Sequence, residues 1–214
     1  MSITDLQNKP IIVGTPIEID FAVNEIRTTL ATLSFIDKPY FIAQRFTRKS
    51  NGRTFVYPET YSTEKPGSRN YIRLTPDNDY KGMFFFLVGP ERNEFEPNQM
   101  NYLSHDVSII FSVNLELINP SKLDQGLFTQ ELIRAVRRLL TETMINHEFE
   151  YTIKTVTRDL KEVYKEFVLD DLEQYNRAPL QCFRFDLTVK IREDCPVPAA
   201  FLDLYEGRYS SEYQ

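Results

Sequence analysis

The sequence predicts an α+β fold: a single domain with a mixed, mainly antiparallel sheet, one amphipathic face covered by two helices, and extended N- and C-terminal arms. Three observations carry this. Phe183, Phe185, Leu187, Val189 and Ile191 alternate with Arg184, Asp186, Thr188 and Lys190, and Val107, Ile109, Phe111, Val113, Leu115 and Leu117 alternate in the same way. Successive side chains of a strand point to opposite faces, so this period of two marks strands with one apolar face and one wet or partner-facing face. The sheet is therefore expected to be covered on one side only. Between the two runs, Phe128, Leu132, Ala135, Val136, Leu139 and Thr143 recur at helical spacing, with Glu131, Arg134, Arg138 and Glu142 opposite them.

Taken in order, residues 1–14 form a polar lead ending in Pro10-Ile11-Ile12-Val13-Gly14, read as an arm or short edge strand. Thr15-Pro16-Ile17-Glu18 has the form of a capping box, with Thr15 as N-cap, Pro16 first in the helix and Glu18 third. Ile19, Ala22, Val23, Ile26, Leu30 and Leu33 continue at helical spacing, which predicts a helix over 17–35. Tyr40 to Thr47 is β-rich, and Asn51-Gly52 predicts a hairpin joining it to Thr54–Tyr57, because both central residues of the tight hairpin turn need positive φ. Pro58 to Arg69 reads as an excursion. Tyr71–Leu74 and Met83–Val88 read as strands, and the acidic stretch Pro90–Asn101 as an exposed loop.

The alternating strand 106–118 ends at Asn119-Pro120, and the helix follows. Phe149, Tyr151, Ile153 and Thr155 alternate against charge, which predicts a strand over 147–157. Residues 159–175 fit two descriptions: a helix capped by Asp159, or a strand through Val163, Lys165 and Phe167 forming a hairpin with 180–192. Periodicity does not separate them over so short a span. From Pro196-Val197-Pro198 onward the chain is rich in Pro and Tyr and reads as a tail laid on another surface.

A chain of 214 residues buries roughly 70% of its unfolded surface as one unit. No segment has the form of a signal peptide or approaches the ~20 apolar residues of a membrane span, so a protein working or assembling inside a cell is expected. The net charge of −6 argues against a dedicated nucleic-acid binder, which needs a basic footprint to release counterions. It leaves room for a protein that surrounds DNA without gripping it. Cys182 and Cys195 match no zinc spacing, and His105 and His147 stand apart from them. Phosphate-cradling glycine loops and the G-x-S-x-G elbow are absent. The acidic pairs Asp77/Asp79 and Asp170-Asp171 lack the further oxygen ligands of a hard-cation site and read as solvated turns. No enzyme, cofactor or metal site is expected.

Arg134, Arg137 and Arg138 form the strongest basic cluster. They read either as a contact to phosphate or to a neighbouring subunit's acidic loops, or as a solvated helix face paired with Glu131 and Glu142. The tail aromatics Phe201, Leu204, Tyr205, Tyr209 and Tyr213 need a surface to pack on, in their own domain or on a neighbour.

The order of elements resembles the tail-terminator and tail-completion proteins of tailed bacteriophages: N-terminal helix, Asn-Gly hairpin, long alternating strand, helix, strand, acidic loop and closing strand. The resemblance rests on Asp106–Ile118, on Phe128–Ile145, and on Val163–Asp171 followed by Pro179–Ile191. It covers about 16–47 and 104–192. Residues 15–193 would be the family-like domain, with an insertion at about 58–101, and residues 194–214 a C-terminal arm. The insertion and the arm exceed the compact family core, so other neck-ring roles stay open. The resemblance implies a virion protein at the head–tail junction with no catalysis and no cofactor. It implies a homo-oligomeric ring, a hexamer first and a dodecameric connector second, that meets other neck and tail-tube proteins. DNA would pass the lumen without sequence-specific binding, since like charge lets a duplex slide. Arg134, Arg137, Arg138, Asp170, Asp171, Phe201, Tyr205 and Tyr209 become candidate subunit-contact or lumen residues. An intracellular α+β ligand-binding module is the reading from a different class.

Overall fold

The computed structural model describes residues 16–50, 52–61, 71–95, 101–122, 128–142, 149–170 and 172–192. Both predicted arms and Asp171 lie outside them. In chain order the elements are α1 (Glu18–Leu30), β1 (Lys38–Ile42), β2 (Gln44–Ser50), β3 (Arg53–Tyr61), β4 (Tyr71–Arg73), β5 (Gly82–Phe95), β6 (Asn101–Asn114), α2 (Leu115–Ile118), α3 (Phe128–Glu142), β7 (Phe149–Thr157), α4 (Leu160–Val163) and β8 (Leu180–Arg192). Short 3-10 helices occupy Pro120–Lys122 and Leu172–Asn176. The fold is α+β. Five strands lie in the order β1-β5-β6-β8-β7, antiparallel except for β1 beside β5, and β2-β3-β4 form a second antiparallel sheet.

The first face of the large sheet is the one the alternation predicts. Phe84, Phe86, Val107, Ile109, Phe111, Phe183, Phe185, Leu187 and Val189 meet α1 through Ala22, Val23, Ile26 and Leu30, and α3 through Phe128, Leu132, Ile133, Val136 and Leu140. Phe111 stacks on Phe183 with ring centroids 4.7 Å apart.

The second face is not bare. Phe85, Ile110 and Cys182 project from it into a second apolar cluster with Ala43, Tyr57, Leu74, Val163, Tyr164, Phe167 and Leu169. The small sheet and the α4 region therefore cover one end of this face. Met83-Phe84-Phe85-Phe86 is an unbroken apolar run because β5 is buried on both sides there. Arg184, expected on the wet side, is buried, and its guanidinium reaches Glu166 Oε1 (2.7 Å), Asp186 Oδ1 (2.7 Å), Ser108 Oγ (2.7 Å) and the Val163 carbonyl (3.2 Å). Burial disfavours its charge, but the Glu166 and Asp186 carboxylates outweigh that and hold its pKa above the ordinary arginine value. Farther along, the face turns wet: Asp106 takes Arg92 at 2.7 Å and Lys154 at 2.8 Å.

Several boundaries differ from the sequence expectations. Helix α1 starts at Glu18, so Pro16 and Glu18 do not occupy their capping-box places. The N-cap position falls on Ile17, which has no side-chain acceptor, and the chain enters through Glu18 at φ 49°. The helix stops at Leu30 rather than 35 because the chain tightens there, with Thr32 and Leu33 donating to Thr29 and Leu30. The β-rich run 40–47 divides at Ala43: its N–H goes to the Phe86 carbonyl (2.9 Å) in the large sheet, and Gln44 opens the small one. Pro58–Tyr61 is no excursion but the second half of β3. The expected loop Pro90–Asn101 is in good part strand, since β5 continues to Phe95 and β6 begins at Asn101. A bulge between Val88 and Glu91 accommodates Pro90.

Strand β6 ends at Asn114, whose side chain accepts the Glu116 and Leu117 N–H groups and starts α2, taking Leu115 and Leu117 out of the alternation. In the ambiguous span, Asp159 caps α4 by accepting the Lys161 N–H (3.0 Å). Val168 then exchanges two backbone hydrogen bonds with Val56 of β3. No hairpin with β8 forms, so the closing strand–acidic-loop–strand pattern is not present. β7 occupies the edge of β8, while Val163, Tyr164 and Phe167 turn onto the second face.

Candidate functional site

The β2–β3 hairpin, with Gly52 at φ 74°, runs in register from Ser50 opposite Arg53 to Gln44 opposite Glu59. Phe46 therefore faces Tyr57, Arg48 faces Phe55, and Glu59 faces Arg73 of β4. Alternation places all of these on one side of the small sheet, interleaving cations with rings. There Arg48, Phe55, Tyr57 and Arg73 line a concavity of about 640 Å³ with Lys49, Ser50, Arg53 and Asp170.

Its electrostatics run against the rest of the chain. Four cations (Arg48, Lys49, Arg53, Arg73) against one carboxylate (Asp170) give its lining a charge of +3, in a chain of −6. Glu59 is buried and pairs with Arg48 at 3.1 Å, so its charge is largely spent. Arg73 lies over the Tyr57 ring, 3.7 Å from its centroid, and Arg48 lies 5.2 Å from the Phe46 ring. The Tyr57 hydroxyl donates to Asp170, and burial together with that bond raises its pKa above the ordinary tyrosine value. Arg53 and Lys49 are exposed and have no ion-pair partner among the described residues. Two free cations beside stacked guanidiniums and rings make a receptor for carboxylate or phosphate flanked by an aromatic group.

A second concavity, about 340 Å³, lies beside the Arg184 network and is lined by Arg45, Lys154, Lys165 and Asp106 among others. Here the charges satisfy one another. Cys182 lies in β8, buried, and burial pushes its thiol pKa up to about 12, which makes it a poor nucleophile. His105 is buried, with Nε2 3.7 Å from Glu91. Among the described residues no group of three His, Cys, Asp or Glu is placed to hold a metal ion, and no helix is long and apolar enough to cross a membrane.

The structure separates the sequence-predicted residues. Arg134, Arg137 and Arg138 are exposed on the outer side of α3, on the first face of the large sheet. Arg138 pairs with Glu142 at 2.6 Å, whereas Glu131 pairs with Lys122 instead. Asp170 is exposed at the arginine–aromatic concavity, on the second face. Asp171, Phe201, Tyr205 and Tyr209 lie outside the described residues. The hairpin cations and Arg73 were not singled out from sequence. The signal for the hairpin part was the Asn-Gly turn, which sets the register and so the shared face; nothing local joins Arg73 and Asp170 to it. Comparison of the chain with protein-family models and with curated proteins finds no match.

Proposed function

We propose that this chain is a structural, non-catalytic subunit that closes into a homo-oligomeric ring at the head–tail junction of a tailed bacteriophage, as a tail terminator. The observation that carries the reading is β2. It is the outer strand of the small sheet, all seven of its residues are exposed, and no strand among the described residues pairs with its outer edge. An edge strand of that length is a pairing template, and ring closure is one way to cover it. The order of helix, hairpin, long strands and helix supports the phage assignment by resemblance. In this reading the ring is a hexamer, with a dodecameric connector as the variant, assembled in the host and carried in the virion. It meets other neck and tube proteins, and DNA crosses its lumen without base-specific contact.

The arginine–aromatic concavity favours one further reading, a module that binds a phosphorylated or nucleotide ligand, because convergent cations and rings are what such a ligand needs. Electron microscopy of the purified protein, with subunits counted per ring, separates the two. Closed rings are the expected result. A strict monomer, alone and in assembled particles, that binds a nucleotide at micromolar concentration overturns the ring reading.

A further inference from the structure

We infer that the arginine–aromatic face of the small sheet is the dock for the acidic, aromatic C-terminal segment of a second copy of this chain. The inference rests on the ring reading only in requiring that copies meet.

Charge complementarity carries it. Residues 193–214 hold five carboxylates (Glu193, Asp194, Asp203, Glu206, Glu212) against Arg208 alone, a charge of −4 facing the +3 of the concavity's lining. The rings match as well. Phe201, Tyr205, Tyr209 and Tyr213 recur every fourth residue, with acids between them. The dock alternates in the same currency: Arg48, Arg53 and Arg73 set among Phe46, Phe55 and Tyr57. Carboxylates pair with Lys49 and Arg53, which have no ionic partner among the described residues, while tyrosine rings stack on guanidinium planes. An acidic chain therefore carries a ligand of the kind this basic surface needs.

Direction points to the second copy, and length permits it. The first residues of β8 pack beside the dock, since Cys182 shares a cluster with Tyr57. From Cys182 the strand then runs to Arg192, about 33 Å away at ~3.3 Å per residue. The segment thus departs from the end of the sheet remote from its own dock. Twenty-two residues span up to about 75 Å when extended, enough to cross to a neighbour.

The test uses the full-length chain as a mixture of normal and heavy-nitrogen copies. It is treated with a water-soluble carbodiimide, which activates a carboxylate so that a lysine amine displaces the urea and forms an amide. Mass spectrometry is expected to find Lys49 joined to Asp203, Glu206 or Glu212, including heavy–light pairs. Arg53→Glu is expected to raise the concentration for half-assembly by about tenfold or more, since like charges then face each other. Adding Asp203→Lys and Glu206→Lys should restore it. Rings that form normally without the join overturn the dock while leaving the ring reading intact; joins confined to heavy–heavy and light–light pairs place the segment on its own copy and overturn the exchange. A labelled oligo-thymidylate that binds the native chain but not K49E/R53E, with no join seen, overturns the dock in favour of a nucleic-acid phosphate surface. A chain that stays monomeric by light scattering overturns both.

Discussion

Arg184 shows how one side chain decides whether a face is wet. By alternation it belongs with Asp186 and Lys190, yet α4 folds over it, and its five donors are taken up by two carboxylates, a hydroxyl and a carbonyl. Removing it strands Glu166 and Asp186 with little solvent to take its place. Arg184→Leu is expected to cost roughly 3–5 kcal/mol, toward the lower end because both carboxylates keep some exposure. Arg138→Ala, which loses only the solvent-exposed pair with Glu142, should leave the urea midpoint unchanged. Equal losses in the two variants would remove the distinction between buried and surface pairs here. The same network sets the acid limit. Burial opposes the charge of Asp186, but hydrogen bonds from Ser108 and Arg184 outweigh it and hold the carboxyl below the ordinary range; Asp106 is held well below that range by Arg92 and Lys154. A carboxylate whose folded pKa is depressed binds fewer protons folded than unfolded as pH falls past its unfolded value near ~3.9. Stability is therefore expected to be level from pH 7 to about 5 and to fall below about 4. Asp186→Asn should lower the neutral plateau and flatten that acid limb, which urea melts at pH 7, 5 and 3 would measure.

Among the elements, close approach matters as much as pattern. Gly82 opens β5 where the turn after α1 crosses it: a Cβ there would sit 2.5 Å from the Phe35 carbonyl oxygen, and the Gly82 carbonyl accepts the Asp37 N–H. Gly82→Ala must push two backbones apart, for about 1–3 kcal/mol. Gly52→Ala meets nothing within 4 Å and costs only its positive φ, about 1 kcal/mol. Thermal melts that ranked Gly52 above Gly82 would contradict this packing. The first-face residues of β6 and β8 were legible because their period of two is uninterrupted, and the hairpin was legible because its turn chemistry is specific. The extension of β5 and β6 was not: Glu91, Arg92 and Glu94 look like loop residues, and they serve as strand residues because partners lie across the sheet, Lys190 for Glu94 and Asp106 for Arg92. Residues 159–175 escaped for a related reason. Their apolar groups answer a cluster on the second face whose other members include residues of β3, β5, β6 and β8. Half of the candidate surface was implied by the hairpin register, and the other half, Arg73 and Asp170, arrives only through tertiary folding.

At the scale of the whole molecule, the large sheet is the partition between two apolar clusters, one under α1 and α3 and one under the small sheet, and the described members of both fall within residues 22–191. Residues 197–214 begin Val197-Pro198, which disfavours continuing a strand and keeps the backbone extended near the start. In the docking proposal their aromatic and acidic content is used between copies. Deleting 197–214 is expected to leave the melting temperature of dilute, unassembled protein within about 3 °C of the full chain, a shift that for a domain of this size corresponds to about 1 kcal/mol. The same deletion should weaken or abolish ring formation. Because the docking contacts are charged and solvent-accessible, ~1 M salt shortens the Debye length to about 3 Å and should push the full chain toward the behaviour of the truncated one. The truncated chain should show little further response. A deletion that unfolds the monomer would instead make residues 197–214 part of their own domain's core, and a full chain whose assembly ignores salt would mean that its subunits meet through apolar surface rather than through the arginines of the small sheet.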